Sequence, residues 1–280
     1  MQSISARQDM YYRNFAFAFF FLYFLLLYCR SMERMKEKME KEKKKNKKSI
    51  STTSFEAESG RFPLFNQIMD NKEANVYIQC QNMALQALGF TEHAFAHVQV
   101  VAARTRYILE TLGEDDHLID LALTAARLHD IGNIVNRVDH SQSGAIMAFQ
   151  ILNKLSVPAE DIAEIICAIG NHDENNGVPV SRISAALILA DKSDVRRSRV
   201  QNPDPETFDI HDHVNYSVTK SEIKINKEHS GIKLKLHIDT RYGEIGDYFN
   251  IFMDRMLLCK RAANFLGLQF HLIINETPLM

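Results

Sequence analysis

From residue 74 to residue 192, apolar side chains return every three or four positions, and glycine, proline and short polar stretches cut the pattern into separate runs. That period belongs to helices that bury one stripe each. Helices are expected over 74–88, 97–111, 116–130, 141–155, 161–170 and 181–191. Gly113 ends the second. Gly132 is read as ending the third and allowing a sharp turn. Pro158 lies near the start of the fifth, and Gly144-Ala145 lets a neighbour approach the fourth closely. Helices joined by such short loops pack as an all-α bundle.

The pattern changes after Arg199. Asn202-Pro203-Asp204-Pro205 breaks any helix. Residues 221–226 and 232–238 alternate like a hairpin. Residues 245–266 read as a helix and 269–274 as a last strand. The fold class is therefore mainly α, a helical bundle over 61–200 with a small α+β extension over 201–280 packed on it. Apolar residues around 248–265 suit either docking on the bundle or a homodimer surface.

Residues 1–29 and 30–60 stand apart. Every residue from 15 to 29 is apolar, which is short of the roughly 20 needed to span a bilayer. The segment 30–48 carries a net charge of +6. If residues 11–29 insert, this basic flank keeps the body on the cytoplasmic side. Two other readings stay open: an upstream extension absent from the mature protein, with Met32 as the start, and a cleaved or buried element. Residues 49–280 carry about −9 of the total −2, which argues against a nucleic-acid footprint. Cys29, Cys80, Cys167 and Cys259 show no paired spacing and read as free thiols.

Chemistry concentrates in His97, His129-Asp130, His140, His172 and Asp191. Imidazole and carboxylate together suit a divalent metal. Neighbouring residues do not share a face in mid-helix, but a pair at a helix end can turn into one cavity. His97 on the preceding helix and Asp191 at the end of a later one can complete a four-ligand set.

The order His97, His129-Asp130, Asp191, with the phrase His-Asp-Ile-Gly, resembles the HD-domain metal-dependent phosphohydrolases over about residues 90–200. His140, in His-Ser-Gln-Ser-Gly-Ala, and His172 resemble its binuclear branch. Asn171 departs from a histidine pair common there, and Asn133 from a frequent lysine. The resemblance implies one or two divalent ions, with manganese or iron favoured over magnesium, zinc or nickel. In the two-ion form Asp130 bridges, His97, His129 and Asp191 hold one ion, and His140 and His172 the other. It also implies hydrolysis of a small phosphorylated substrate by metal-activated water. A regulatory nucleotide-binding module and a diiron oxygenase are the alternatives.

Charged residues near these ligands are further candidates. Lys192, Arg196 and Arg137 can hold a substrate phosphate. Asp194 can orient a cation or move a proton, so Asp130, Lys192 and Asp194 form the candidate catalytic set. Asp173 and Glu174 follow His172 and can support it. His93 is a weak ligand candidate, and His211 and His213 have no counterpart in the family pattern.

Overall fold

The computed structural model describes residues 60–280, all within one compact unit, Glu58–Met280. The apolar leader, the basic run and most of the linker lie outside the described residues. Among those described, no helix is long and apolar enough to cross a membrane.

In chain order the helices are α1 (Pro63–Asp70), α2 (Lys72–Ala87), α3 (Phe95–Thr111), α4 (Asp116–Leu128), α5 (His140–Lys154), α6 (Ala159–Gly170), α7 (Arg182–Lys192), α8 (Ile210–Ser217) and α9 (Ile245–Phe265). The strands are β1 (Val218–Ile225), β2 (Gly231–Ile238), β3 (Gln269–Ile274) and β4 (Thr277–Pro278). Helix α4 packs against α1, α3, α6 and α7, while α7 also meets α3 and α9. Its eight residues from Ile183 to Ala190 are all buried.

Local chemistry sets where these helices start. Asn71 Oδ1 accepts from Ala74 N at the head of α2, and Asp115 Oδ1 from Leu118 N at the head of α4. Ser181 and Ser184 cap each other's backbone at the head of α7. Such side chains satisfy amide donors that have no partner inside the helix. Pro158 is the residue before α6, so that helix begins two residues earlier than the sequence suggested. The first helix, α1, has Pro63 at its first position and takes its cap from a distance: Asp120 of α4 accepts from Leu64 N at 2.9 Å and Phe65 N at 2.7 Å.

The extension is a four-stranded sheet in the order β1-β2-β3-β4. Strands β1 and β2 form the expected hairpin, with Ile223 opposite Leu234. Strand β3 runs parallel to β2, and α9 makes the crossover. Strand β1 begins at Val218 rather than 221, because α8 runs straight into it. Helices α1 and α8, eight residues each, were not expected from the apolar pattern. The bundle and the sheet share one continuous apolar core.

Two expectations around the His-Asp pair need correction. Helix α4 stops at Leu128; His129 keeps helical angles, and Asp130, at φ −98° and ψ −4°, opens a 3-10 turn over Ile131–Ile134. Gly132 is not there for a left-handed turn. A Cβ at that position would lie 2.0 Å from His140 O and 2.4 Å from Gly144 N. The start of α5 thus presses on the turn that follows the pair, and Gly144 supplies the other half of the close approach. Gly132→Ala should destabilise the protein by about 3 kcal/mol, the upper range for overpacking. Urea denaturation would measure this, and wild-type stability in that variant would contradict the close approach.

Candidate metal centre

Five elements deliver the side chains. His97 comes from the first turn of α3, His129 and Asp130 from the end of α4, His140 from the first residue of α5, His172 from just beyond α6, and Asp191 from the last turn of α7. The four histidines are 0 to 1% exposed and Asp130 is 3% exposed.

Each ring is fixed from behind at Nδ1. His97 Nδ1 lies 2.8 Å from Asp194 Oδ2, His129 Nδ1 2.9 Å from Ala126 O, and His172 Nδ1 2.6 Å from Ile169 O. His140 Nδ1 faces Arg137 O at 3.1 Å and Asp173 Oδ2 at 3.2 Å. All these partners only accept hydrogen bonds, so Nδ1 carries the proton in every ring. The Nε2 atom of each neutral ring is then a lone pair.

Those lone pairs converge in two sets. His97 Nε2 and His129 Nε2 are 3.3 Å apart, and His140 Nε2 and His172 Nε2 are 3.2 Å apart. Asp130 lies between the sets. Its Oδ2 is 3.3 Å from His129 Nε2 and 3.7 Å from His97 Nε2, while its Oδ1 is 3.5 Å from His140 Nε2 and 3.8 Å from His172 Nε2. Asp191 Oδ1 joins the first set, 3.3 Å from His97 Nε2 and 3.8 Å from His129 Nε2. The buried Oδ2 of Asp130 has no hydrogen-bond partner among the described residues.

A buried cluster of lone pairs and anionic oxygens is repulsive unless cations or protons enter it. Donors about 2.1 Å from one ion stand roughly 3.0–3.4 Å apart in octahedral or tetrahedral arrangements. The separations here lie at or slightly above that range, so the residues fit a divalent metal. His97, His129 and Asp191 bring donors together in one group, and His129, Asp130 and His172 in a second that shares His129. In the metal-free chain protons must do part of this work. Burial opposes the charge on Asp130, but His129 and His172 hold its carboxyl well below the ordinary range. Burial is likewise outweighed at Asp191, mainly by Lys192, and at His129, where Asp130 raises the imidazole. Metal binding would displace those protons.

The outer charges mostly hold the ligands. Lys192 is buried, with Nζ 2.8 Å from Asp191 Oδ2 and 2.6 Å from Glu174 Oε2, which leaves Asp191 Oδ1 to face the histidines. Asp194 receives Arg196 Nε at 2.8 Å on Oδ1 and orients His97 through Oδ2. Arg196 also reaches Ser198 Oγ. Arg199 donates to Asp194 O at 2.7 Å and Glu92 O at 3.0 Å. Asn133 donates from Nδ2 to Asp130 Oδ1 at 3.0 Å. Arg137 rests on Asn133 Oδ1 at 3.0 Å, with the same nitrogen 3.4 Å from His140 Nε2. Glu174 is also bound by Arg255 of α9, a residue that no motif marked.

His93 approaches His97 edge to face, with ring centroids 5.5 Å apart, but its Nδ1 is turned to Thr91 O at 2.6 Å. His211 and His213 belong to α8, and His213 Nδ1 faces Tyr242 O. Burial, and then Arg199, hold the His93 imidazole well below its ordinary value. Folded His93 stays neutral while the unfolded chain takes up a proton below about pH 6.5, so stability should fall as pH drops through that point. His93→Gln should flatten the loss between pH 6.5 and 4.5, by at most about 1.4 kcal/mol per pH unit. Denaturant titrations at several pH values would check this, and an unchanged slope would contradict it.

Comparison with known proteins agrees with the geometry. Residues 94–196 match the HD domain family. An uncharacterized protein of Methanocaldococcus jannaschii is 27% identical over 189 residues, covering 59% of this chain and 72% of that relative. No solved structure matches the chain. The matched segment contains the histidine of α3, the pair that ends α4 and the aspartate that closes α7, so residues 94–196 form a domain of the HD superfamily.

Proposed function

We propose that this protein is a metal-dependent phosphohydrolase acting on a small phosphate ester or nucleotide-like compound at a centre for two ions. The observation that carries the reading is Asp130, whose two oxygens each face a different pair of imidazole lone pairs. One ion would be held by His97, His129, Asp191 and Oδ2 of Asp130, the other by His140, His172 and Oδ1. The mixed nitrogen and oxygen donors suit manganese or iron better than magnesium, with zinc or nickel also compatible. Bound divalent ions would supply Lewis acidity, which lowers the pKa of water and offsets charge on phosphoryl oxygens.

The remaining residues prepare the site. Asp194 fixes the His97 ring through Nδ1. Burial opposes the ionised form of Asp194, but His97, Arg199 and Arg196 keep its carboxyl well below the usual range, so it stays an acceptor at neutral pH. Lys192 holds Asp191 by one oxygen. Its three donors face two carboxylates, so it positions a ligand rather than binding substrate. Arg196 braces Asp194 in the same way. Arg137 borders His140 and is the phosphate-binding candidate within the ligand loops. The near-complete burial of the histidines excludes bulk water and strengthens each of these interactions.

Metal analysis after gentle purification, followed by a phosphatase and nucleotide panel with manganese, iron or magnesium, tests the reading. Phosphate release should require metal and stop on chelation. Partners behind ligands typically contribute 10–100-fold, so Asp130→Ala should lower turnover more than about 100-fold and strip bound metal. Fewer than about 0.2 ions per chain after reloading would count against a metal centre. Nucleotide binding without release would favour the regulatory module, and oxygen consumption with iron would favour the oxygenase.

A further inference from the structure

The candidate ligands come from α3 to α7, yet one side chain of the crossover helix α9 also joins the charge network behind them. Arg255 Nε donates to Glu174 Oε1 at 2.9 Å, and Glu174 Oε2 forms an ion pair with Lys192 at 2.6 Å, which in turn pairs with Asp191. The guanidinium carbon lies 4.6 Å from the centroid of the Phe252 ring, which holds the group flat from one side. The two terminal nitrogens of Arg255 have no partner among the described residues, and the side chain keeps 22% exposure. Arg137 aside, the other cations of the cluster are spent. Lys192 lies between two carboxylates, Arg196 is taken by Asp194 and Ser198, and Arg199 is buried against Asp194 O and Glu92 O.

A guanidinium pinned at Nε and braced on an aromatic ring has lost most of its rotamer freedom before any ligand arrives. Its two remaining nitrogens form a planar fork that matches two oxygens of a phosphate. Such preorganisation improves binding by reducing the ordering cost. The Glu174 carboxylate also keeps Arg255 and Lys192 together despite their like charge. The fork is thus one carboxylate away from the lysine that touches a candidate metal ligand.

We propose that Arg255 is a substrate-binding residue, supplied by the C-terminal extension, that takes oxygens of the substrate phosphate. This rests on the phosphohydrolase reading above. It gives the extension a place in recognition and makes Glu174 the residue that aims the fork.

The test uses the full chain loaded with manganese, with inorganic phosphate as the probe in calorimetric titration and manganese affinity measured separately. Hydrogen bonds to charged groups correspond to about 10- to 100-fold in affinity. Arg255→Met should therefore weaken phosphate binding at least about tenfold while manganese affinity stays within about threefold, and Arg255→Lys should recover part of the loss. Unchanged phosphate affinity overturns the proposal. A parallel fall in manganese affinity also overturns it, because Arg255 would then merely prop Glu174. Both of those results leave the phosphohydrolase reading intact if the wild-type enzyme still releases phosphate. If the wild-type metal-loaded protein neither binds nor releases phosphate, both fail. Should Arg255→Met unfold, Arg255→Lys decides: a point charge in place of a fork should bind phosphate less well, and wild-type affinity overturns the assignment.

Discussion

Four imidazole lone pairs and two carboxylates turned inward on one small volume are the constraint that the rest of this fold answers. Left alone, such a cluster would repel itself or recruit protons. The chain holds it open with a surrounding layer whose members each fix one ring or one oxygen. Asp194, Asp173 and the carbonyls of Ala126, Ile169 and Arg137 all engage Nδ1 atoms. Lys192 takes one oxygen of Asp191, and Asn133 takes one of Asp130. No ring is free to turn its lone pair elsewhere. The geometry is imposed by helix ends, which are better anchored than loops.

The bundle was readable from apolar period alone, because α2 to α7 each bury a stripe and have recognisable stops. The candidate ligand set was readable only through order and resemblance. A buried histidine such as His93 has the same local sequence character as His97, and spacing does not separate them. The structure separates them by company: His97 Nε2 lies 3.3 Å from both His129 Nε2 and Asp191 Oδ1, while His93 belongs to neither candidate donor group. Gly132 shows a second limit. Glycine after a helix usually signals a left-handed turn, whereas here the missing side chain makes room for the start of α5. That packing involves residues a dozen positions apart and leaves no mark in local propensity.

What remained hidden was mostly long-range. Asp120 caps α1 from 55 residues away, and so a short helix with no cap of its own is stable. Arg255 meets Glu174 across 81 residues. On the sequence it is one more basic residue in an amphipathic helix, and only the parallel crossover from β2 to β3 places it beside Glu174. Lys192 and Arg196 had the opposite problem. They looked available to substrate, but the fold uses Lys192 to hold Asp191 and Arg196 to hold Asp194 in place.

Helix α7 carries Asp191 and is buried on every side from Ile183 to Ala190, with Ser184 its one polar residue there. A helix of that kind needs cover all around, and α9 provides part of it. The family segment cut out at residue 196 would therefore carry a greasy, uncovered flank into water, a surface prone to self-association. The cooperative unit around the candidate centre thus extends beyond its recognisable motif, and α7 is fully sheltered only once the chain has been made through α9.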